Sequence, residues 1–328
     1  MKSAARAAAL WAGTCAVAVS GILPAAAVER GTGAPPAGLV AALERTVADG
    51  FPGAVAYARR GERESRTAAG LADTATGERA RPDHRFRIAS NTKSFVSTVL
   101  LQLEGEGRLS LDDSVGTWLP GMVRGHGNDG RTVTVRQLLN HTSGIYDPTD
   151  EVEFSAPYLE RGDRAHVYTP REVIARAVRH EPPFKPGRGW AYSNTNYLLA
   201  GLVIEAVTHR SAPSEIRRRI LIPLGLKDTS FPVTDPDIHR PHLHGYDLDG
   251  RDVTRFSPSY GPGAERISAR ATDGGGPGFT SVSLTTADGE RQLVLAFNVF
   301  DLGANPRRPR PVPYTEALDR AQTAVLCD

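Results

Sequence analysis

Residues 86–95 read Phe86-Arg87-Ile88-Ala89-Ser90-Asn91-Thr92-Lys93-Ser94-Phe95, and the spacing of Ser90 and Lys93 decides how the chain is read. Residues three apart share one face of a helix, so Lys93 lies one turn beyond Ser90. The chain has four lysines, Lys2, Lys93, Lys185 and Lys227, among 39 basic residues. Lysine can lose its proton when buried, whereas arginine effectively cannot. A serine beside a deprotonatable amine is one way to build an activated nucleophile. The helix that starts at or just before Ser90 carries Phe95, Val96, Val99, Leu100 and Leu103 as its apolar stripe and stops at Gly105 and Gly107. Its N-terminus adds partial positive charge and free N–H groups, which favour an alkoxide or a nearby oxyanion. An N-capping serine followed by a surface lysine would give the same four letters, so other stretches have to decide.

Two stretches further along carry compatible chemistry. Trp190-Ala191-Tyr192-Ser193-Asn194 precedes a helix predicted over 193–208. A phenol two residues from an amide can supply a proton relay and a hydrogen bond to a substrate. Thr272-Asp273-Gly274-Gly275-Gly276-Pro277-Gly278-Phe279 leads into the terminal strands. Its glycines let a substrate approach a strand edge, where a backbone N–H can complete an oxyanion hole. Taken singly, these stretches also fit a helix entrance and a glycine turn.

The surrounding pattern predicts an α+β fold. A helix is expected over 36–49, and Gly53–Ala58 and Arg66–Leu71 flank the turn Arg60-Gly61-Glu62 as a hairpin. Helical patterns follow at 133–140, 169–180, 193–208 and 213–221, separated by loops rich in Gly, Pro and Asp. Phe279–Thr286 and Gln292–Phe300 flank Asp288-Gly289, a strong hairpin signal, and a last helix covers about 314–326. Strands at both ends with helices between imply one antiparallel sheet built from both termini, flanked by helices, with a mostly helical lobe inserted. The expected division is an α/β lobe at about 28–105 and 265–328 and a helical lobe at about 106–264. The run Asn305–Pro313 reads as a solvated Pro/Arg linker.

In this order, the three stretches resemble the penicillin-recognising serine acyl-enzymes, whose opening motif is S-x-x-K. The similarity is to the branch with Tyr-x-Asn as second motif: class C β-lactamases, D-alanyl-D-alanine carboxypeptidases and related esterases. Phe86–Lys93, Leu138-Leu-Asn-His-Thr-Ser-Gly-Ile145 and Tyr192–Gly201 carry it. The resemblance implies a β-lactamase/transpeptidase-like fold, with Ser90 as nucleophile and Lys93 and Tyr192 sharing the proton transfers. It further implies that Asn194 holds the substrate's amide side chain and that the N–H groups of Ser90 and Gly275 form the oxyanion hole. Thr272 and Asp273 would face the substrate. His141 is expected to be structural.

Two departures bear on substrate choice. The third motif of that family usually begins with Lys or His, and here Thr272 and Asp273 occupy those positions. Asp273 would repel a substrate carboxylate unless Arg266 or Arg270 compensates. The stretch between Tyr192 and Thr272 is also shorter than usual, which implies that part of the helical lobe and one wall of the cleft are missing.

Composition excludes several classes. With 40% hydrophobic and 23% charged residues, the 328-residue chain suits a globular protein with a sizeable core. Lys2 and Arg6, the apolar run Ala7–Val19, Pro24 and Ala25–Ala27 read as a secretory signal over residues 1–27. The run is too short to span a bilayer, so no stable membrane anchor is expected after cleavage. Residues 28–328 would carry balanced charge, which gives no footprint for nucleic acid, and one cysteine, Cys327, hence no internal disulfide. His239, His242, His244 and Asp247 are a weak zinc pattern without a second ligand set. No Gly-x-Ser-x-Gly elbow occurs.

The expectation is therefore a secreted serine hydrolase without metal or organic cofactor. Its partner would be a peptidoglycan peptide or β-lactam-like small molecule, with D-alanyl-D-alanine carboxypeptidase as first substrate reading and β-lactamase or small esterase next. Thr272, Asp273 and the short third segment also fit a relative that acylates poorly or not at all.

Overall fold

The computed structural model describes residues 32–159, 161–163, 166–233, 235–247, 250, 252–254, 271–276, 278–299 and 314–327. The expected signal segment 1–27, Arg266, Arg270 and the run 305–313 lie outside the described residues.

The described residues open with α1 (Ala37–Ala48), the hairpin β1 (Gly53–Arg60) and β2 (Arg63–Asp73), and the short β3 (Glu78–Arg79). Then come α2 (Thr92–Gly105), α3 (Val115–Trp118), the two-residue strands β4 (Arg124–Gly125) and β5 (Asn128–Asp129), and α4 (Val135–Leu139). Next are α5 (Val152–Leu159), α6 (Pro170–Ala177), α7 (Asn194–Thr208) and α8 (Ala212–Ile216), which runs into a wider turn at Arg217–Leu221. Strands β6 (Ala271–Gly276), β7 (Phe279–Thr285) and β8 (Arg291–Phe297) and helix α9 (Tyr314–Gln322) complete the order.

Six strands form one antiparallel sheet in the order β3-β2-β1-β8-β7-β6. Its middle joins the two ends of the sequence, with Ala54 opposite Phe297 and Arg60 opposite Arg291. Side chains alternate between faces along a strand. Ala54, Ala56 and Ala58 of β1 and Leu293, Leu295 and Phe297 of β8 share a core with Leu39 and Leu43 of α1 and Ala317 and Ala321 of α9. Val55 and Ala296 point the other way, into a smaller cluster with Leu243 and Phe279. The short alanine side chains of β1 let α1 and α9 lie close to the sheet.

The third core surrounds α7, whose Tyr197, Leu198, Leu199, Ala200, Val203, Ile204 and Val207 are all buried. A helix apolar on nearly every side belongs in the middle of a bundle. Val96, Val99, Leu100 and Leu103 of α2 pack into this core, as the sequence periodicity predicts. Glu215 of α8, fully buried, receives Arg218 at 2.7 Å and Arg219 at 2.6 Å, and Arg219 continues to Glu106 just beyond α2. These bonds hold the Glu215 carboxyl down at about 2, with the Arg218 contact as the largest cause.

The predicted elements appear close to their expected places. The Gly-rich stretch at 272–276 is itself a strand, β6, paired with β7 through Thr272–Ser283 and Gly275–Thr280. Its tight turn is forced by a chain crossing. A Cβ on Gly278, at φ +77°, would sit 2.6 Å from the Gly245 backbone. Sequence reading saw the turn because glycine marks it and missed the strand because glycine weakens strand propensity.

Candidate active site

Ser90 lies in a single 3₁₀ turn, Ala89–Asn91, that leads into α2. Ala89 adopts φ +42°, a left-handed conformation costly for a residue with a Cβ. Surrounding bonds hold the turn in place. Thr92 Oγ1 donates to the Ala89 carbonyl at 2.6 Å, and Asn91 Nδ2 donates to Ser281 Oγ of β7 at 2.8 Å. The Ser281 hydroxyl in turn donates to the Ile88 carbonyl at 3.3 Å. The sheet therefore grips the turn on both sides of Ser90, which is itself buried.

One turn on, Lys93 is 2% exposed. Its Nζ donates to Tyr192 Oη at 2.7 Å and to Asn194 Oδ1 at 2.8 Å. Tyr192 Oη donates to the same Asn194 oxygen at 3.0 Å, closing a triangle of three side chains. The rings of Tyr192 and Tyr197 flank the amine at 4.9 and 5.1 Å. The first two motifs, about a hundred residues apart in sequence, thus meet at one nitrogen.

Asn194, expected to meet the substrate, is engaged by the protein on both ends of its amide. Its Nδ2 donates to Asp147 Oδ2 at 3.0 Å and to Thr149 Oγ1 at 2.8 Å, while Oδ1 accepts from Lys93 and Tyr192. An amide offers two donors and two acceptor positions, and all four are taken within the protein. A substrate amide could bond to Asn194 only by displacing one of these partners.

Asp147 was not singled out from the sequence. Its Oδ2 also accepts the backbone N–H of Asn194 at 2.7 Å, so it caps the N-terminus of α7. Ser193, the residue before the helix, uses its hydroxyl on the Tyr146 carbonyl instead. The available signal was local: Asp147-Pro148-Thr149 has an N-cap residue followed by proline, and Asp147 caps that short turn through Thr149.

His141 supports the tyrosine. At φ +60° it turns the chain, and its ring lies 4.6 Å from that of Tyr192. Its Nδ1 accepts the Ser193 N–H at 3.1 Å, which requires an unprotonated nitrogen. Burial, and next the charge of Lys93, push its pKa down to about 3. The ring is thus neutral at physiological pH, and the expected structural role fits. Gly144, at φ +77°, admits the neighbouring strap: a Cβ there would meet the Phe184 carbonyl oxygen at 2.2 Å. Trp190, half exposed, rests edge-on against His141 at 6.0 Å.

Thr272, Asp273 and Gly275 lie on β6, an edge strand of the sheet, beside the Ala89–Asn91 turn. The third motif is therefore brought to Ser90 through the backbone of that strand. The histidine-rich stretch goes elsewhere. His239 pairs with Asp235, His242 with the Arg240 carbonyl and His244 with Asp252, while Asp247 is buried. Among the described residues no three His, Cys, Asp or Glu side chains group as a metal site.

A family model described as Beta-lactamase matches residues 39–296. A D-stereospecific amidohydrolase from Streptomyces sp. is 34% identical and superposes with a TM-score of 0.75, over 89% of this chain and 99% of that one. A D-amino acid amidase from Ochrobactrum anthropi SV3 has the same fold, with a TM-score of 0.74 at 24% identity over 88% and 97% of the two chains. Among curated proteins, Esterase EstB of Burkholderia gladioli is 35% identical over 192 residues, 56% of this chain and 48% of EstB. Protein flp of Staphylococcus aureus (strain MW2) is 34% identical over 191 residues, 58% of this chain and 36% of flp. The chain spans less than half the length of these two curated relatives.

Proposed function

The chain belongs to the Beta-lactamase family, the serine hydrolases of the β-lactamase fold, and from this premise we propose that it is a secreted hydrolase that transfers the acyl group of a D-configured amide to Ser90 and then to water. The observation that carries the reading is the buried Lys93 amine bonded at 2.7 Å to Tyr192, one turn from Ser90. The D-stereospecific amidohydrolase, matched over nearly its whole length, supports the D configuration.

Ser90 Oγ attacks the substrate carbonyl carbon while its proton passes into the Lys93–Tyr192 pair. The N–H groups of Ser90 and Gly275 receive the developing oxyanion. The pair then delivers a proton to the departing nitrogen, the C–N bond breaks, and an ester to Ser90 remains. Water attacks that ester, gives its proton to the same pair, and Ser90 Oγ leaves and recovers a proton. Lys93 and Tyr192 share these transfers.

The substrate's leaving group distinguishes an amidase from a D-alanyl-D-alanine carboxypeptidase, since both acylate the serine with a D-residue. A carboxypeptidase substrate carries a carboxylate on the departing amine. The sequence Thr272-Asp273 offers that carboxylate no cation. A D-amino acid amide, whose departing amine carries no carboxylate, is therefore the preferred substrate, with the D-alanyl-D-alanine peptide second.

The test is a panel of D- and L-amino acid amides, a D-Ala-D-Ala peptide, a cephalosporin and a short-chain ester, each with a Ser90→Ala control. The expected result is turnover of the D-amide ahead of its L-isomer and of the peptide, abolished in Ser90→Ala. A folded wild-type protein that neither turns over any member nor takes a fluorophosphonate label on Ser90 overturns the hydrolase. Preference for the L-isomer overturns the D-amide class.

A further inference from the structure

Asp147 lies outside the motifs that carry Ser90, Lys93 and Tyr192, yet its carboxylate holds the side chain that touches both proton-carrying groups. We infer that Asp147 is a positioning residue for acyl transfer, fixing the Asn194 amide so that its oxygen faces Lys93 and Tyr192. The inference rests on the proposed Ser90 acyl-enzyme.

The two ends of an amide are chemically opposite, and either can face Lys93 unless the far end is constrained. Here the constraint is complete. Asp147 Oδ2 can only accept, and it takes both the Asn194 backbone N–H at 2.7 Å and Nδ2 at 3.0 Å. Thr149 Oγ1 could in principle donate, but its proton is committed to Asp147 Oδ1 at 2.8 Å. It must therefore accept from Asn194 Nδ2, at 2.8 Å. One carboxylate thus sets both partners of the amide nitrogen and leaves Oδ1 for Lys93 and Tyr192. A flipped amide would point N–H groups at an amine and a phenol that need an acceptor.

The arrangement also bears on the charge of Lys93. The groups that face its amine include the Tyr192 hydroxyl, the Asn194 oxygen and the rings of Tyr192 and Tyr197, and His141 is near enough to feel its charge. His141 is neutral, and the Asp147 carboxylate stands behind Asn194. An acceptor oxygen backed by a negative charge favours the ammonium form. Loss of that carboxylate should make Lys93 easier to deprotonate and also less well placed.

The test uses the rate at which a fluorophosphonate labels Ser90, measured across pH in the full chain, for wild type and Asp147→Asn. The variant is near-isosteric but no longer dictates the Asn194 orientation. The expected plateau rate falls about tenfold or more, and the midpoint of the acidic limb moves down by about half a unit or more. Wild-type rate and midpoint in a folded variant overturn the inference, as does a slower plateau with an unmoved midpoint, which marks a merely structural role. Absence of wild-type labelling instead sinks the Ser90 reading itself. Should Asp147→Asn lose its cooperative melt, Asp147→Glu decides, since it keeps the charge and misplaces it. A slow plateau with a moved midpoint then supports positioning, and a wild-type plateau or an unmoved midpoint refutes it.

Discussion

The ring of His141 lies 4.6 Å from the ring of Tyr192, and its Nδ1 accepts the N–H of Ser193, the next residue along. One neutral imidazole therefore supports the phenol from the side and fixes its backbone from below. That contact links the 138–145 stretch to the site, although His141 reaches no reacting atom in the proposed mechanism.

Because burial and the Lys93 charge hold His141 near pKa 3, it titrates very differently once the chain unfolds. An unfolded histidine takes up its proton near pH 6.5, which the folded one does not do until about pH 3. Stability is full above pH 6.5 and declines as pH falls through that window, by up to about 1.4 kcal/mol per pH unit from this group. Urea unfolding at pH 7, 6 and 5 should show the decline, with a shallower slope in His141→Gln. An equal slope in both proteins would remove His141 as its source.

Replacing Lys93 should stop acylation rather than binding. Lys93→Ala is expected to slow Ser90 labelling on the order of 10²–10⁴-fold, the range for loss of a positioned proton carrier. Lys93→Arg should be nearly as slow, because a guanidinium cannot give up its proton. Near-normal labelling of either variant refutes the role.

Thr272→His tests the leaving-group argument. A histidine on the edge strand supplies the ionisable group that the motif lacks. The ratio of turnover on a D-Ala-D-Ala peptide to turnover on a neutral ester should rise by about tenfold, the effect of roughly 1.4 kcal/mol. An unchanged ratio places the carboxylate subsite elsewhere.

Gly144→Ala should destabilise the fold locally. The new Cβ would lie 2.2 Å from the Phe184 carbonyl oxygen, on a backbone at φ +77°. The expected cost is about 2 kcal/mol or more, since clash and left-handed strain add. Chemical denaturation measures it, and a loss below about 0.5 kcal/mol would show that the strap moves aside freely.

Much of the site was legible because its groups sit in short local patterns. Ser90 and Lys93 are one helical turn apart, and Tyr192 and Asn194 flank a helix start. Apolar spacing gave α1, α2 and α7, and Asp288-Gly289 gave the β7–β8 turn. What stayed hidden depends on partners distant in sequence. Asp147 matters because α7 returns to it 47 residues later. The partners of the Asn194 amide, Lys93, Asp147 and Thr149, lie 45 residues or more away, so nothing local shows them. Ser281 secures the Ser90 turn from β7, 190 residues away from Asn91. Strand β6 is held by its pairing with β7, against the preference of its three consecutive glycines.

The pairing of β1 with β8 has a consequence for how the protein comes into being. Ala54 finds Phe297 only after a loop of about 240 residues has closed, a large entropic demand that must be met before the contact stabilises anything. On a ribosome, β1 and β2 emerge long before their neighbour has been synthesised and wait with an exposed alanine-lined edge. Folding should therefore be slow and late, and the half-made chain vulnerable to association through that edge.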